Sequence, residues 1–178
     1  MRPIILIGYM GAGKTTVGRL LAEQLSYSFL DTDGMIEAQE RRSIRTIFEM
    51  DGEERFRDME TALLEKLLEE NLEDVVLSVG GGLPVRDKNR ELLKKLGTVV
   101  YLSAQKETIV ERVAGSEDRP LLQGQHMSEK VEQMLEIRDP LYRQAAFAVV
   151  KTDGRAVQQI AQEIEQSVVM GHEIAKNG

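Results

Sequence analysis

A glycine-rich segment near the N-terminus has residue types and a spacing that suit phosphate chemistry. Residues 8–15 read Gly-Tyr-Met-Gly-Ala-Gly-Lys-Thr and match G-x-x-x-x-G-K-[ST] at every fixed position. The glycines let successive backbone N–H groups turn towards phosphate oxygens, and the following helix adds its positive N-terminal end. We expect Lys14 to reach the β- and γ-phosphates of a nucleoside triphosphate and the Thr15 hydroxyl to bind Mg²⁺. The expected nucleotide-binding set within this loop is Gly11, Ala12, Gly13, Lys14, Thr15 and Thr16.

Two aspartates follow the next apolar run and supply acidic groups. Asp31 ends a predicted strand, and we expect it to provide the Mg²⁺ carboxylate, because the later strand at residues 75–79 ends in glycines instead of an acidic residue. Asp33 is the candidate general base that accepts the proton of an attacking hydroxyl. For both residues a helix-capping role is the structural alternative.

These residues leave several classes of P-loop protein open. Residues 31–34 match the D-x-x-G of a GTPase switch, but they follow Lys14 too closely for a switch loop, and no guanine-reading triplet is in register. The open readings are a small-metabolite kinase (acting on gluconate or a nucleoside monophosphate, for example), a nucleotide-gated binding module, and a purely structural P-loop domain. The intact Lys14, Thr15, Asp31 and Asp33 disfavour the last of these.

Composition narrows the class of protein and its partners. The 178 residues argue for one domain, and 42% hydrophobic residues suffice for a packed core. A net charge of −7 disfavours nucleic acid and anionic membranes as partners. The chain has no Cys and only two histidines, which excludes disulfides and argues against thiolate or imidazole metal sites. The N-terminal apolar run ends at Gly8, too early for a signal peptide, and we expect a cytoplasmic monomer.

Hydrophobic periodicity predicts alternating strands and helices around these motifs. The predicted strands are residues 3–7, 28–30, 75–79, 98–102 and 146–150. The predicted helices are 14–25, 34–40, 44–50, 52–70, 87–96 with Asp87 as N-cap, 106–113, 128–138 ending before Pro140, and 155–169, with a fraying tail from Gly171. Strand and helix alternate about five times, which predicts an α/β fold with a parallel sheet between two helix layers.

Further motifs occur in a fixed order along the chain. They are Asp31-Thr32-Asp33, Asp51-Gly52-Glu53 leading to Phe56-Arg57, Gly80-Gly81-Gly82, Arg119-Pro120-Leu121-Leu122 and Arg138-x-Pro140-Leu141-Tyr142. Together with the P-loop, this combination resembles the shikimate kinases, from the first strand to about Tyr142. The resemblance implies a five-stranded, three-layer P-loop fold like that of the nucleoside-monophosphate kinases. It also implies transfer of the γ-phosphoryl group of ATP to the 3-hydroxyl of shikimate, with Mg²⁺, in aromatic amino-acid biosynthesis.

The resemblance also implies roles for individual residues of the acceptor site. Arg57 and Arg138 match the two arginines that hold the shikimate carboxylate, which suits the two parallel hydrogen bonds of a guanidinium fork. Helical spacing alone favours ordinary pairs of Arg57 with Glu53 or Glu60. Glu60 is expected to orient Arg57 or to meet a substrate hydroxyl. The pocket lining is expected to be Gly80, Gly81 and Gly82.

Two more arginines match the nucleotide side of the family's site. Arg119 corresponds to the lid arginine, which stabilises charge on the transferring phosphoryl group. Arg112 corresponds to an arginine that packs on adenine, whereas residues 151–155 do not align with the family's adenine-binding stretch. The expected organisation is a single kinase domain, residues 1–178, with a P-loop at 8–16, a substrate-binding segment at about 33–60 and a lid at about 113–125.

Overall fold

The computed structural model describes residues 1–114 and 126–176, with side chains as far as Val169. Within these residues strands and helices alternate along the chain. The strands are β1 (Ile4–Ile7), β2 (Ser28–Asp31), β3 (Val75–Ser78), β4 (Thr98–Ser103) and β5 (Ala148–Lys151). The helices are α1 (Lys14–Leu25), α2 (Thr32–Glu40), α3 (Ile44–Glu69), α4 (Asp87–Leu96), α5 (Lys106–Ala114), α6 (Met127–Ala145) and α7 (Val157–Lys176), with a short 3₁₀ turn at Leu83–Val85.

The five strands of the described residues form one parallel sheet in the order β2-β3-β1-β4-β5. Every residue of β1 and β3 is buried. Because successive strand side chains point to opposite faces, both faces of the sheet must be covered. Helices α1 and α7 pack together on one side, and α4 and α6 pack on β4 and on each other. The predicted α/β class with a five-stranded parallel sheet is confirmed.

The sheet order reverses its direction at β1, which lies between β3 and β4. At such a point the crossover connections leave in opposite directions and open a crevice at the carboxyl ends of the strands. Residues that follow β1, β2 and β3 therefore meet at one edge of the sheet, although they are far apart in sequence.

Two predicted features of the helices are wrong. Helix α6 passes through Pro140 to Ala145, because the hydrogen bond that a proline cannot make is offset by buried Tyr142 and by an Arg143–Asp139 ion pair of 2.7 Å. Asp87 is the first helical residue of α4 instead of its N-cap, and its carboxylate pairs with Arg90.

Several other boundaries also differ from the predicted ones. The two helices predicted at 44–50 and 52–70 form the single helix α3, Ile44–Glu69, which is interrupted by the non-helical backbone of Gly52. Helix α7 continues to Lys176, so its backbone does not fray from residue 171 as predicted. The loop predicted at residues 115–125 lies outside the described residues.

Candidate active site

The P-loop wraps over the carboxyl end of β1 and is followed by α1. Gly13 caps the helix at φ 93°, a left-handed conformation that a glycine adopts without strain. A side chain on Gly8 would meet the Leu102 carbonyl oxygen at 2.6 Å, so the loop lies tightly against β4. The Lys14 ammonium donates to the carbonyl oxygens of Gly8 and Tyr9 at 2.7 and 3.1 Å, which places it across the loop. The other expected nucleotide-binding residues are Gly11, the buried Ala12, and the exposed Thr15 and Thr16 in the first turn of α1.

The segment after β2 lies beside this loop. Asp31 caps α2, since its Oδ1 accepts a hydrogen bond from the Gly34 N–H at 3.0 Å. The Thr32 hydroxyl oxygen, which is fully buried, accepts one from the Gly80 N–H at 3.0 Å. This second bond connects the end of β2 to the glycines that follow β3.

Asp33 is a half-buried carboxyl group next to Gly80. A side chain added at Gly80 would come within 2.6 Å of the Asp33 carboxylate, so only a glycine allows this approach. Burial, together with the nearby Asp31 charge, raises the pKa of Asp33 to about 6, while Lys14 and Arg57 act in the opposite direction. A carboxyl group in this position can exchange a proton close to neutral pH.

Arg57 makes both of the helical pairs that its spacing suggests. Its guanidinium lies 2.8 Å from Glu60 Oε2 and 3.1 Å from Glu53 Oε1. It also lies against the glycines, because a side chain on Gly82 would fall 2.3 Å from Arg57 Nη2. Arg57 can therefore make its ion pairs with Glu53 and Glu60 and still face the glycines where the acceptor is expected to bind.

Glu60 is completely buried, and its Oε1 has no hydrogen-bond partner among the described residues. Burial outweighs the Arg57 ion pair and raises the pKa of Glu60 to about 7. The same oxygen would lie 3.2 Å from a side chain on Gly80, so it faces the glycine side of the site. An orphaned buried acceptor at a cleft suits a ligand hydroxyl, which can donate to it.

Arg138 reaches the same glycines from helix α6. Its Nη1 would be 3.5 Å from a side chain on Gly81, and its guanidinium lies 5.7 Å from the centre of the Tyr9 ring. Arg57 and Arg138 therefore come from different helices to adjacent glycines, Gly82 and Gly81. Two guanidinium groups in such an arrangement can hold one carboxylate from two sides.

Arg112 contacts the P-loop from helix α5. Its guanidinium donates to the Gly11 carbonyl at 2.9 Å and to the Thr152 carbonyl at 3.3 Å. The structure thus places residues 151–155, which sequence reasoning left unassigned, beside the expected adenine-packing arginine. Thr152 is buried and was missed because a lone threonine after a strand carries no distinctive pattern.

The donor set near the P-loop fits Mg²⁺. A hydroxyl oxygen from Thr15 and a carboxylate from Asp31 are the hard oxygen ligands that this ion takes. The described residues contain no cluster of three or more acidic, His or Cys side chains that could hold a metal ion alone. Mg²⁺ usually combines one or two carboxylates with water and substrate phosphates, so a site with only two protein ligands suits it.

Arg119 and most of the expected lid lie outside the described residues. Of the segment at 113–125, only Val113 and Ala114 are described, and they end α5. Within the part of the chain that is described, no helix combines the length and hydrophobicity needed to cross a bilayer.

Taken together, a parallel sheet with a P-loop at its switch point and two arginines that converge on the glycines beside it define a P-loop kinase. A family model described as shikimate kinase matches residues 10–169. The chain belongs to the shikimate kinase family, and it is an ATP-dependent phosphotransferase.

Individual relatives agree with this assignment. A shikimate kinase of Thioalkalivibrio sulfidiphilus is 46% identical over 163 residues, which cover 92% of this chain and 85% of the relative. One of Neisseria gonorrhoeae is 49% identical over 149 residues, which cover 84% of this chain and 86% of the relative. The Acinetobacter baumannii shikimate kinase, solved in complex with shikimate, superposes with a TM-score of 0.89 at 43% identity and covers 96% and 94% of the two chains.

A gluconokinase of Sinorhizobium meliloti superposes with a TM-score of 0.62 at 18% identity, with 98% of this chain and 95% of the gluconokinase covered. At that identity the likeness shows a common fold alone. It gives no support to the alternative that this chain phosphorylates gluconate.

Proposed function

We propose that this chain transfers the γ-phosphoryl group of ATP to the 3-hydroxyl of shikimate and releases shikimate 3-phosphate and ADP. The observation that carries the proposal is the convergence of Arg57 and Arg138 on Gly81 and Gly82, next to Asp33. A carboxylate held by the two arginines keeps the rest of the acceptor in one orientation beside the P-loop. Orientation of this kind contributes much of the rate in phosphoryl transfer.

Each step of the reaction uses a described side chain. Asp33 accepts the proton of the acceptor hydroxyl as its oxygen forms a bond to the γ-phosphorus. The bond between the γ-phosphorus and the bridging oxygen breaks, and the electron pair leaves with ADP. Lys14 stabilises the negative charge on the phosphates. Glu60 orients Arg57 and accepts a hydrogen bond from an acceptor hydroxyl.

The remaining assignments concern the nucleotide. Thr15 and Asp31 would hold Mg²⁺, which would supply positive charge against the triphosphate. Arg112 packs on the adenine. Its hydrogen bond to Gly11 of the P-loop supports this role, because it places the guanidinium beside the nucleotide site. Arg119 stabilises the transferring group from the lid, an assignment that rests on the family motif.

The rest of the proposal concerns the whole chain. It acts as a single-domain monomer in the cytoplasm, with ATP and shikimate as its substrates and without nucleic acid or membrane partners. The acidic surface, with a net charge of −7, supports the last point, because phosphate-rich surfaces repel it.

The direct experiment measures ADP release with and without shikimate. We expect release to depend on shikimate and to stay at background with gluconate or nucleoside monophosphates. Release that is independent of any acceptor would favour a nucleotide-gated module instead. Lys14→Met is expected to abolish transfer, because it removes the ammonium group that lies across the phosphate loop.

Two arginine variants test the acid site. Arg57→Ala and Arg138→Ala are expected to raise the KM for shikimate on the order of tenfold or more while the KM for ATP is unchanged, because each loses charged hydrogen bonds. Arg143→Ala is the matched control, since Arg143 lies on α6 as well but pairs with Asp139 at the surface. Unchanged shikimate KM in both variants would contradict the carboxylate clamp.

A further inference from the structure

Residues 80–83 form a turn, here called the glycine turn. Two side chains that are not among the proposed substrate-binding residues hold it at the carbonyl groups of Gly81 and Leu83. The Tyr142 hydroxyl donates to the Gly81 carbonyl at 2.6 Å, and the Asn89 amide donates to the Leu83 carbonyl at 2.9 Å. Both donors have an exposed fraction of 0%. Such buried polar groups are expensive to place in a core unless their hydrogen bonds are satisfied, so their geometry is strongly fixed.

On one side of the turn, Tyr142 connects it to Arg138. The two residues are one helical turn apart on α6, and Arg138 Nη1 would lie 3.5 Å from a side chain on the same Gly81 that the Tyr142 hydroxyl binds. Burial raises the pKa of Tyr142 to about 12, and the nearby Arg138 charge acts in the opposite direction. The ring is immobilised by the ring of Tyr101, with centroids 5.0 Å apart. Tyr142 and Arg138 therefore meet the glycine turn at one residue, Gly81.

On the other side, Thr61 and Asn89 connect the turn to the helix of Arg57. The Asn89 amide nitrogen donates to Leu83, so its oxygen must face Thr61, whose hydroxyl lies 2.8 Å away and donates to it. The Arg57 carbonyl oxygen lies 3.1 Å from the same hydroxyl and shares its single proton with Asn89 Oδ1. This chain of buried groups joins the backbone at Arg57 to the far end of the turn.

We propose that Tyr142, Thr61 and Asn89 are positioning residues for the acid group of the acceptor, because they tie each of the two arginines to one end of the glycine turn and so fix the gap between the guanidinium groups. The inference rests on the proposed function of Arg57 and Arg138. Two like-charged, rotamer-rich side chains repel each other and lose entropy when they are ordered. A scaffold that holds them in advance lowers the cost of binding the carboxylate.

The test measures KM for shikimate, KM for ATP and kcat separately in four variants. Tyr142→Phe and Thr61→Val keep the shape of the side chain and remove the hydroxyl. Each is expected to raise the KM for shikimate about fivefold or more, as the loss of one buried hydrogen bond predicts, with the KM for ATP unchanged. Thr61→Ser restores a hydroxyl and is expected to restore the KM for shikimate.

Tyr101→Phe is the matched control for the tyrosine. Tyr101 is equally buried and its hydroxyl also bonds helix α6, at Asp139 2.8 Å away, but it does not touch the glycine turn. We expect its loss to lower the melting temperature without a change in the KM for shikimate.

The outcomes separate this inference from the function on which it rests. If Arg57→Ala and Arg138→Ala raise the KM for shikimate but Tyr142→Phe and Thr61→Val do not, the positioning role is wrong and the clamp stands. If Arg57→Ala and Arg138→Ala do not change that KM either, the clamp itself is wrong. An equal rise in both KM values, or a rise in Tyr101→Phe as well, would indicate a general loss of structure and overturn the inference.

Discussion

Asp33 is half-buried beside Gly80, and its proton affinity decides whether it works as a base. Only the ionised form can accept a proton from the acceptor, and its pKa is raised to about 6. We therefore expect kcat/KM for shikimate to be level above pH 7 and to fall as the pH decreases through about 6. A pH profile of initial rates between pH 5 and 8.5 measures this acidic limb.

Two variants assign that limb to one carboxyl group. Asp33→Asn is expected to lower kcat by roughly 10²-fold and to remove the limb. Glu60→Gln, which alters the neighbouring carboxyl group with a raised pKa, is expected to keep it. Near-normal turnover of Asp33→Asn would show that Asp33 only orients the acceptor.

Gly82 lies so close to Arg57 that a single methyl group tests the pocket. An alanine side chain there would fall 2.3–2.5 Å from the guanidinium atoms, so the arginine must move. Because the displaced atoms are the end of a flexible side chain, we expect Gly82→Ala to fold normally and to raise the KM for shikimate by about tenfold or more. Steady-state kinetics with both substrates check this, and an unchanged shikimate KM would place Arg57 outside the acid site.

At this scale, spacing predicted some contacts and not others. Both helical partners suggested for Arg57 are present, because three- and four-residue separations place side chains on one helix face. Its approach to Gly82 is not readable from spacing, since it depends on how α3 packs against the turn after β3. The motif resemblance supplied that pairing. Asn89 and Thr61 carried no signal at all, because buried polar bridges have no periodicity.

Among the elements, α3 contains the least regular backbone of the acceptor site. Gly52 adopts φ 82° and ψ 168°, a region that is essentially restricted to glycine, and it divides the helix just before Phe56 and Arg57. No atom lies within 4 Å of a side chain added there, so the effect of a substitution is conformational instead of steric. The bend therefore fixes the direction from which the second half of α3 brings Arg57 to the pocket.

Gly52→Ala is expected to lower the free energy of unfolding by about 1–3 kcal/mol and to raise the KM for shikimate as well. Chemical denaturation and kinetics measure the two effects. Gly34→Ala serves as a stability control, because its φ is not positive and its nearest neighbour would be an ordinary contact at 3.8 Å. If Gly52→Ala were as stable as the natural chain, the bend would not require a glycine.

Element types were easier to predict than element ends. Helix α1 begins and ends as predicted, because the P-loop sets its start and its apolar face stops at Leu25. The end of α6 was missed because Pro140 reads locally as a helix breaker, whereas tertiary contacts of Tyr142 and Asp139 carry the helix past it. A prediction from local sequence fails where a long-range contact offsets the free-energy cost of an unfavourable residue such as Pro140.

Across the whole molecule, the sheet order brings the site together. Lys14, Asp33 and the glycine turn follow β1, β2 and β3, which are neighbours in the sheet. Periodicity predicts that these strands exist and that they are parallel. It does not predict their order, which is set by how the connecting helices pack on the two faces. The sequence therefore indicates which residues act, and the topology explains why they meet.

The same assembly brings the half-buried Asp33 and the fully buried Glu60 to one site, and this should appear in the stability of the entire fold. Their pKa values are raised to about 6 and about 7 in the folded chain, so between pH 5 and 8 the folded state binds more protons than the unfolded state. Stability therefore falls as the pH rises through this range, by at most about 4 kcal/mol in total, because solvent screens part of the Asp33 contribution. Denaturation midpoints at several pH values measure the slope, and Asp33→Asn should reduce it. A stability that rose with pH over this interval would mean that both groups are ionised without penalty, and that the site is more open to water than its burial indicates.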